Sequence, residues 1–269
     1  PEELRMSEAT EHVSGTPSWV DLATSDADAA EAFYTALFGW TSEDQGEEAG
    51  HYRLLRKGGK DVAALYAVDP DQGPPRWNTY VTVDDVDAAA ARVDPAGGTL
   101  IVPPFDVLVA GAGADPGVMG RMAVVSDPAG AIVALWESRG HAGAGLVNEP
   151  GALCWNELIT GDRERAAAFY AAVIGWSSRT NPMGPMTYTE FMTGERPIAG
   201  MMELAGVTPQ WNVYFAVEDA DATVAAATGL GAAILQPAMD LPDVGRCATL
   251  ADPQGAAFSV VQLAAPPAG

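Results

Sequence analysis

Residues 17–40, PSWVDLATSDADAAEAFYTALFGW, return further along the chain as residues 153–176, LCWNELITGDRERAAAFYAAVIGW. Both segments carry a Trp near the start, a Phe-Tyr pair in the middle and a Gly-Trp pair at the end. A repeat this long indicates a duplicated domain, because the repeats of solenoid proteins are only about 20–50 residues long. Two more pairs of segments match in the same order: RWNTYVTVDDVDAA (76–89) with QWNVYFAVEDADAT (210–223), and GRMAVVSDPAGAIVALW (120–136) with GRCATLADPQGAAFSVV (245–261).

Each copy has the pattern of two βαβββ units. Residues 18–23 alternate, with Val20 and Leu22 on one face and Trp19 and Asp21 on the other, which predicts a half-buried strand. An Asp then precedes an amphipathic stretch that is typical of a helix. Further short alternating stretches complete the unit, so the predicted fold class is α+β. We expect a polar tail (1–15), a first module (16–138), a Gly-rich linker (139–150) and a second module (151–265).

The length of 269 residues agrees with two domains of roughly 120–140 residues, each long enough to bury a core of its own. The first copy is longer by a loop of about nine residues, which the pattern places within 107–119. Because one chain contains two modules, it provides a pair of sheets without a second subunit. We therefore expect a monomer or weak dimer.

Charge and composition restrict the classes of partner. The chain has 36 acidic against 14 basic residues and a net charge of −22. A surface this negative repels phosphate backbones and anionic lipids, so we expect neither nucleic-acid nor membrane binding. It also favours neutral or cationic small molecules over anionic ones. Only two cysteines are present, and the first residues are polar without the pattern of a signal peptide, which predicts a cytoplasmic protein.

Three features together carry a resemblance to a known superfamily. Asp26 and Asp162 open the helices that hold the Phe-Tyr pairs, VDDVD and VEDAD open a second helix in each copy, and DPxG turns join the last strands. This pattern resembles the vicinal oxygen chelate superfamily of glyoxalases, bleomycin-resistance proteins and extradiol dioxygenases. The tandem form is similar to actinobacterial glyoxalase-like or hydroxylase-like proteins, some from aromatic-antibiotic pathways. The resemblance implies that each pair of units curls its mixed sheet into a cup that holds a small molecule and often a divalent metal.

The resemblance also implies where metal ligands would stand. The family carries His on the first strand, His on the strand that opens the second unit, and Glu on the last strand. A divalent metal needs three or four His, Asp, Glu or Cys ligands, and this chain has none at these aligned positions. We therefore expect no metal and no cofactor. The residues present are Trp19, Asn78 and Ala134 in the first copy and Trp155, Asn212 and Ser259 in the second.

Alternation predicts which side chains fill the cups in place of a metal. If Trp19 faces the cup, Asp21 does too, and Glu157 takes the same position in the second copy. A carboxylate among aromatic rings is desolvated, so Asp21 and Glu157 are the candidate general bases. Indoles, phenols and amides suit a flat, partly polar ligand. The predicted ligand-binding residues are Trp19, Asn78, Tyr80, Arg121, Trp136, Trp155, Asn212, Tyr214, Arg246 and Ser259.

Structural roles compete with these assignments. The indoles of Trp19 and Trp155 can plug cups that bind nothing, and Asp21 and Glu157 can pair with Arg121 and Arg246 to hold strands together. The leading hypothesis is a metal-free protein that binds a small aromatic metabolite or antibiotic. The alternative is a metal-independent enzyme, hydroxylase-like or isomerase-like, that acts on a ketone-bearing aromatic by acid–base chemistry. A metal-dependent lyase or dioxygenase is the third hypothesis.

Overall fold

The computed structural model describes residues 11–108, 117–183 and 186–264. Module 1 folds as two βαβββ units, as predicted, with two single-turn 3-10 helices at Glu47–Ala49 and Pro70–Gln72. Residues 1–10 of the predicted tail and most of the predicted insertion lie outside the described residues. The elements of module 1 are β1 (Pro17–Thr24), α1 (Ala27–Phe38), β2 (Thr41–Asp44), β3 (Arg53–Lys57), β4 (Lys60–Ala67), β5 (Arg76–Thr82), α2 (Val86–Ala90), β6 (Thr99–Leu108), β7 (Val118–Ser126) and β8 (Ile132–Ser138).

Module 2 repeats the same order of elements. The four βαβββ units confirm the α+β class and the tandem arrangement. No helix of the described residues is long and apolar enough to cross a bilayer. The elements of module 2 are β9 (Leu153–Thr160), α3 (Arg163–Val173), β10 (Ser177–Met183), β11 (Met186–Thr193), β12 (Arg196–Glu203), β13 (Gln210–Ala216), α4 (Ala220–Gly229), β14 (Ala233–Leu241), β15 (Gly245–Ala251) and β16 (Ala257–Leu263).

Each module forms one eight-stranded mixed sheet. The strand order is β2-β3-β4-β1-β5-β8-β7-β6 in module 1 and β10-β11-β12-β9-β13-β16-β15-β14 in module 2. The first strands of the two units pair antiparallel at the centre, and each also pairs in parallel with the last strand of its own unit. The centre of the sheet therefore brings together side chains from both units.

The repeated aspartates before the helices are N-caps. The side chains of Asp26, Asp85, Asp162 and Asp219 each accept a hydrogen bond from the backbone N–H three residues later. Such a cap satisfies one of the N–H groups that the first turn of a helix leaves without a partner. The VDDVD and VEDAD motifs are thus explained by local helix geometry.

The two modules share their hydrophobic cores, which differs from the expectation that each copy buries its own. One core packs Leu22 and Leu65 of module 1 with Phe215 and Phe258 of module 2. Helix α1 lies in this core, where the Tyr34 ring contacts the Phe258 ring at a centroid distance of 5.5 Å. The sequence pattern marks these residues as apolar but does not say which module covers them.

The second core mirrors the first. It packs Val81 and Leu135 of module 1 with Phe169, Tyr170 and Met201 of module 2, so that α3 lies against both sheets. The helix-bearing face of each sheet is therefore covered by the other module. Four tryptophans lie on this side and are at most 6% exposed, as expected for core residues: Trp40, Trp77, Trp176 and Trp211.

Crossed hydrogen bonds connect the two modules. The Tyr34 hydroxyl of α1 donates to Oδ2 of Asp252 at 3.0 Å, and it accepts from the Trp77 indole at 3.0 Å. In the mirrored contact, Tyr170 donates to Asp127 at 3.4 Å. Asp127 and Asp252 are the aspartates of the DPxG turns. Oδ1 of Asp127 accepts three backbone N–H groups of its own turn, each at 2.9 Å. Each turn thus binds the opposite module's helix.

We predict that Tyr34→Phe destabilises the whole protein by about 1–3 kcal/mol, because it leaves a buried indole N–H and a buried carboxylate oxygen without their partner. Urea denaturation monitored by circular dichroism measures this loss. Both modules are expected to unfold in a single transition, since the cores are shared.

Tyr170→Phe is the matched variant, and we expect a smaller loss because its bond to Asp127 is longer. A change below about 0.5 kcal/mol in both variants would show that the crossed contacts add nothing to the packing of the rings.

Candidate functional site

The face of each sheet that points away from the helices carries the candidate site. Along β1, Val20 and Leu22 enter a shared core, so Trp19 and Asp21 lie on the opposite face. We call this opposite face cup 1 in module 1 and cup 2 in module 2. Cup 1 is defined by Trp19, Asp21, Tyr52, Tyr66, Asn78, Tyr80 and Trp136, and cup 2 by Trp155, Glu157, Tyr188, Met202, Asn212, Tyr214, Ser259 and Val261.

A buried carboxylate organises cup 1. Oδ2 of Asp21 accepts hydrogen bonds from the hydroxyls of Tyr80 at 2.7 Å and Tyr52 at 3.0 Å. Oδ1 accepts from the Asn78 amide at 2.8 Å. The Trp19 indole donates to the Tyr52 hydroxyl at 3.0 Å. Burial raises the pKa of Asp21, and the three donors oppose that rise. Every side chain of this network is therefore fixed by another.

The predicted linker lies across cup 1. The backbone N–H of Ala144 donates to the Ser18 carbonyl at 2.8 Å. The imidazole of His141 packs edge-on against Trp19 at a centroid distance of 4.6 Å, and the Trp136 indole donates to the His141 carbonyl at 3.0 Å. As a result, Trp19 is 4% and Trp136 5% exposed. The sequence gives no signal for this, because the linker has no counterpart in the other copy.

Cup 2 repeats the central arrangement. The Tyr214 hydroxyl donates to Oε1 of Glu157 at 2.9 Å, and the Trp155 indole donates to the Tyr188 hydroxyl at 2.9 Å. Burial raises the pKa of Glu157 despite hydrogen bonds from Tyr214 and Tyr188. In contrast to Trp19, Trp155 is only partly buried. Cup 2 therefore offers an accessible indole beside a desolvated carboxyl group.

Tyr52 and Tyr188 also belong to the cups, although strand alternation alone does not predict them there. Both bind the cup indole of their module, and both occupy the same position relative to the start of their copy. This recurrence is the signal by which the repeat identifies them. Tyr188 lies so close to β12 that a Cβ at Gly200 would collide with its hydroxyl.

The amide of Asn212 is oriented differently from that of Asn78. Its Nδ2 donates to the Ser259 hydroxyl at 2.8 Å, and Ser259 in turn lies 2.8 Å from the Thr249 hydroxyl. The Oδ1 atom of Asn212 is buried and has no hydrogen-bond partner. Ser259 and Asn212 were both predicted as ligand-binding residues, and the structure brings both to cup 2.

Arg121 and Arg246 are not in the cups, in contrast to their predicted positions. Arg121 occupies the same side of β7 as Ala123, which lies in a shared core, and it binds Asp87 at 2.6 Å and Asp106 at 3.0 Å. Arg246 makes the equivalent pairs on module 2, with Asp221 and Asp240. The proposed ion pairs of these arginines with the cup carboxylates are therefore wrong.

The donor set of the cups does not fit a divalent metal. The sheet register places Asn78 opposite Asp21, and Asn212 opposite Glu157, so each cup centre has one carboxylate and one amide. Within the described residues, no group of three or more His, Cys, Asp or Glu side chains is arranged to hold a metal ion. The chemistry available to the cups is hydrogen bonding, ring stacking and proton transfer at a carboxyl group.

Comparison with known families agrees with the fold and the repeat. The profile of the glyoxalase/bleomycin resistance protein/dioxygenase superfamily matches residues 16–135, and that of a glyoxalase-like domain matches residues 153–261. The chain belongs to this superfamily and carries two of its modules in tandem. The resemblance inferred from the Asp-capped helices and DPxG turns is therefore confirmed.

Two groups of relatives are similar to this chain over nearly their whole length. The CFP32 protein of Mycobacterium tuberculosis, whose name assigns it provisionally to the glyoxylases, is 43% identical over 267 residues, covering 96% of this chain and 99% of its own. The anthracycline biosynthesis protein DnrV of Streptomyces peucetius is 39% identical over 274 residues, covering 94% of this chain and 95% of its own.

Solved structures share the fold at low identity. The Mn(II)-bound glyoxalase from Novosphingobium aromaticivorans is 18% identical with a TM-score of 0.63, and the match covers 93% of this chain and 83% of that one. The 2,2',3-trihydroxybiphenyl 1,2-dioxygenase from Sphingomonas wittichii is 16% identical with a TM-score of 0.63, covering 95% and 93%. These similarities establish the fold. The chemistry has to be inferred from the residues of the cups.

The raised pKa of Asp21 predicts a pH-dependent contribution to stability. A carboxyl group whose pKa is higher in the folded state contributes stability that is complete below its ordinary value of 3.8 and is lost as pH rises through the folded value. We expect the unfolding free energy of the native protein, minus that of Asp21→Asn, to decrease as pH rises above 3.8. Urea denaturation at several pH values measures it.

Asp84→Asn, at an exposed position, is the control for the general effect of removing one negative charge. If the difference between native protein and Asp21→Asn is constant or increases with pH, the carboxyl of Asp21 is not held in its protonated form by burial.

Proposed function

We propose that this protein binds a small, flat aromatic molecule in a cup, without a metal. The observation that carries the proposal is the centre of each cup, where an indole, two phenols and one buried carboxyl group stand in place of a metal-ligand set. Aromatic walls with a few directed polar groups are the usual lining of sites for organic ligands. The proposed mode of action is similar to that of a bleomycin-resistance protein, which sequesters a compound.

The net charge of the chain and the name of one similar protein restrict the class of ligand. A net charge of −22 disfavours anionic ligands, which leaves neutral or cationic molecules. One relative is named for the biosynthesis of anthracyclines, a class of fused-ring aromatic compounds with phenolic hydroxyls. The ligand that we propose is a metabolite or antibiotic of that general chemistry. We also propose that the protein acts in the cytoplasm as a monomer or weak dimer and binds neither nucleic acid nor membranes.

A second candidate function is supported by the two carboxyl groups. Burial raises the pKa of both Asp21 and Glu157, which is the condition for a general acid or base that works near neutral pH. Such a metal-independent enzyme would act on a ketone-bearing aromatic. Against it, Asp21 already accepts hydrogen bonds from Tyr52, Tyr80 and Asn78, so it has to exchange a partner before it contacts substrate.

We predict that 2-hydroxyanthraquinone quenches the tryptophan fluorescence saturably, because its ring stacks near a cup indole. Treatment with EDTA is expected to leave both the affinity and the melting temperature unchanged, since the cups need no metal. Fluorescence titration and thermal unfolding of treated and untreated protein measure these quantities. Loss of binding in EDTA with recovery in manganese, zinc or nickel would favour a metal-dependent lyase or dioxygenase instead.

The variants Asp21→Asn and Glu157→Gln separate binding from catalysis. If the protein only binds, each variant keeps an affinity within a few-fold of the native one, and no conversion of the ligand is detected. An enzyme would lose turnover in one of these variants while its affinity is largely kept. Mass spectrometry of 2-hydroxyanthraquinone and of ketone-bearing analogues after incubation detects turnover, and any product that depends on either carboxyl group would establish the enzymatic alternative.

A further inference from the structure

The internal repeat allows the two cups to be compared position by position. Two large aromatic rings of cup 1 are replaced by smaller aliphatic side chains in cup 2. Tyr66 on β4 corresponds to Met202 on β12, and Trp136 on β8 corresponds to Val261 on β16. Cup 2 therefore contains less of the protein's own side-chain volume.

Cup 1 is also occupied by the linker, as described above. The linker's imidazole packs against Trp19 at 4.6 Å, and Ala144, which is 1% exposed, packs beside the same indole. No described segment makes equivalent contacts with Trp155. The two cups thus share the hydrogen bonds of their tyrosines to the carboxyl group and of their indole to a tyrosine, but they differ in what covers them.

Cup 2 has a polar wall where cup 1 is apolar. Three side chains on the last two strands differ in this way, and two of them, Ser259 and Thr249, are paired through their hydroxyls at 2.8 Å. The pairs of corresponding residues are Ala134 and Ser259, Val124 and Thr249, and Met122 and Cys247.

The Asn212 amide is the centre of this polar wall. Because its Nδ2 donates to Ser259, its Oδ1 is left as a buried acceptor without a donor. Asn212 is 8% exposed, so its amide is largely removed from bulk water. A buried acceptor without a partner is uncommon in folded proteins, and a hydroxyl or N–H group of a ligand can supply the missing donor here.

We propose that cup 2 is the ligand site and that it takes an uncharged aromatic molecule whose hydroxyl or N–H group donates to Oδ1 of Asn212. The ring lies against Trp155, on the side where Val261 replaces the Trp136 ring of cup 1. This inference rests on the proposed function and assigns that function to one module and one recognition contact.

The side chains of cup 2 exclude other functional groups at the position of the ligand that contacts Asn212. An acceptor without a hydrogen cannot pair with Oδ1, so a methyl ether at the same position leaves the amide unsatisfied. A carboxylate or phosphate would meet the buried carboxyl group of Glu157 as well as the negative field of the whole chain. A donor without negative charge, such as a neutral hydroxyl or N–H group, satisfies both constraints.

Two probes with the same ring test the contact on the full-length protein. 2-Hydroxyanthraquinone offers the donor, and 2-methoxyanthraquinone does not. Isothermal titration at about pH 6, where the phenol is uncharged, is expected to give one site per chain, with the hydroxyl probe bound about tenfold more tightly. Asn212→Leu should remove this preference by weakening the hydroxyl probe about tenfold and leaving the methoxy probe nearly unchanged.

Two further variants distinguish a lost contact from a damaged fold. Val261→Trp introduces into cup 2 the ring that cup 1 carries, and it should abolish binding of both probes while circular dichroism stays native. Asp84→Asn changes an exposed residue outside both cups and should leave both affinities unchanged.

The outcomes separate this inference from the proposed function. If the probes bind but Val261→Trp has no effect, or two equal sites are found, cup 2 is not the sole ligand site and the inference is overturned while the proposed function stands. An equal loss of both probes in Asn212→Leu overturns the donor contact. If neither probe nor other aromatic compounds in a broad panel bind the native protein, the proposed function itself fails.

Discussion

The crossed tyrosine–aspartate contacts are the constraint on which the rest of the structure depends. The hydroxyl of Tyr34 reaches a carboxylate in the opposite module while it accepts an indole N–H from its own. The aspartate's other oxygen holds the backbone of a β-turn. Tyr34 and Asp252 therefore connect a helix and a strand of module 1 with a β-turn of module 2. Both hydrophobic cores contain residues of both modules, so neither module contains a complete hydrophobic core by itself.

This back-to-back packing decides which surfaces remain for function. The helix-bearing faces cover one another, so each sheet's opposite face is left to meet solvent or a ligand. On that face a carboxyl group lies among aromatic rings, where burial would be costly without donors. The paired tyrosines provide those donors in both cups, and the indoles fix the tyrosines. The centre of each cup is thus preorganised before any ligand arrives.

Much of this arrangement could be predicted from the repeat and from strand alternation. The cups contain Trp19, Asp21 and their counterparts, as expected. When the apolar face of a strand lies in the core, the side chains that alternate with it lie on the opposite face. Arg121 was misplaced because alternation defines two faces without naming the one that points to the cup; its small apolar neighbours on β7 enter the core. The linker was missed because it has no counterpart in the other copy, and because its backbone contacts with cup 1 leave no pattern in the sequence.

Duplication explains how the two cups can differ while the fold stays the same. Both modules have to be present, since they complete each other's cores, yet the fold does not require both cups to be open. Filling cup 1 with Trp136 and the linker buries apolar surface, which stabilises the chain. The Asn78 amide of this cup donates to Asp21 and to the Tyr66 hydroxyl. Cup 2 keeps an accessible indole and an unsatisfied amide oxygen, which costs stability. Under the proposed function, the stability gained by closing cup 1 offsets this cost, so that cup 2 can retain a polar group whose partner would be the ligand.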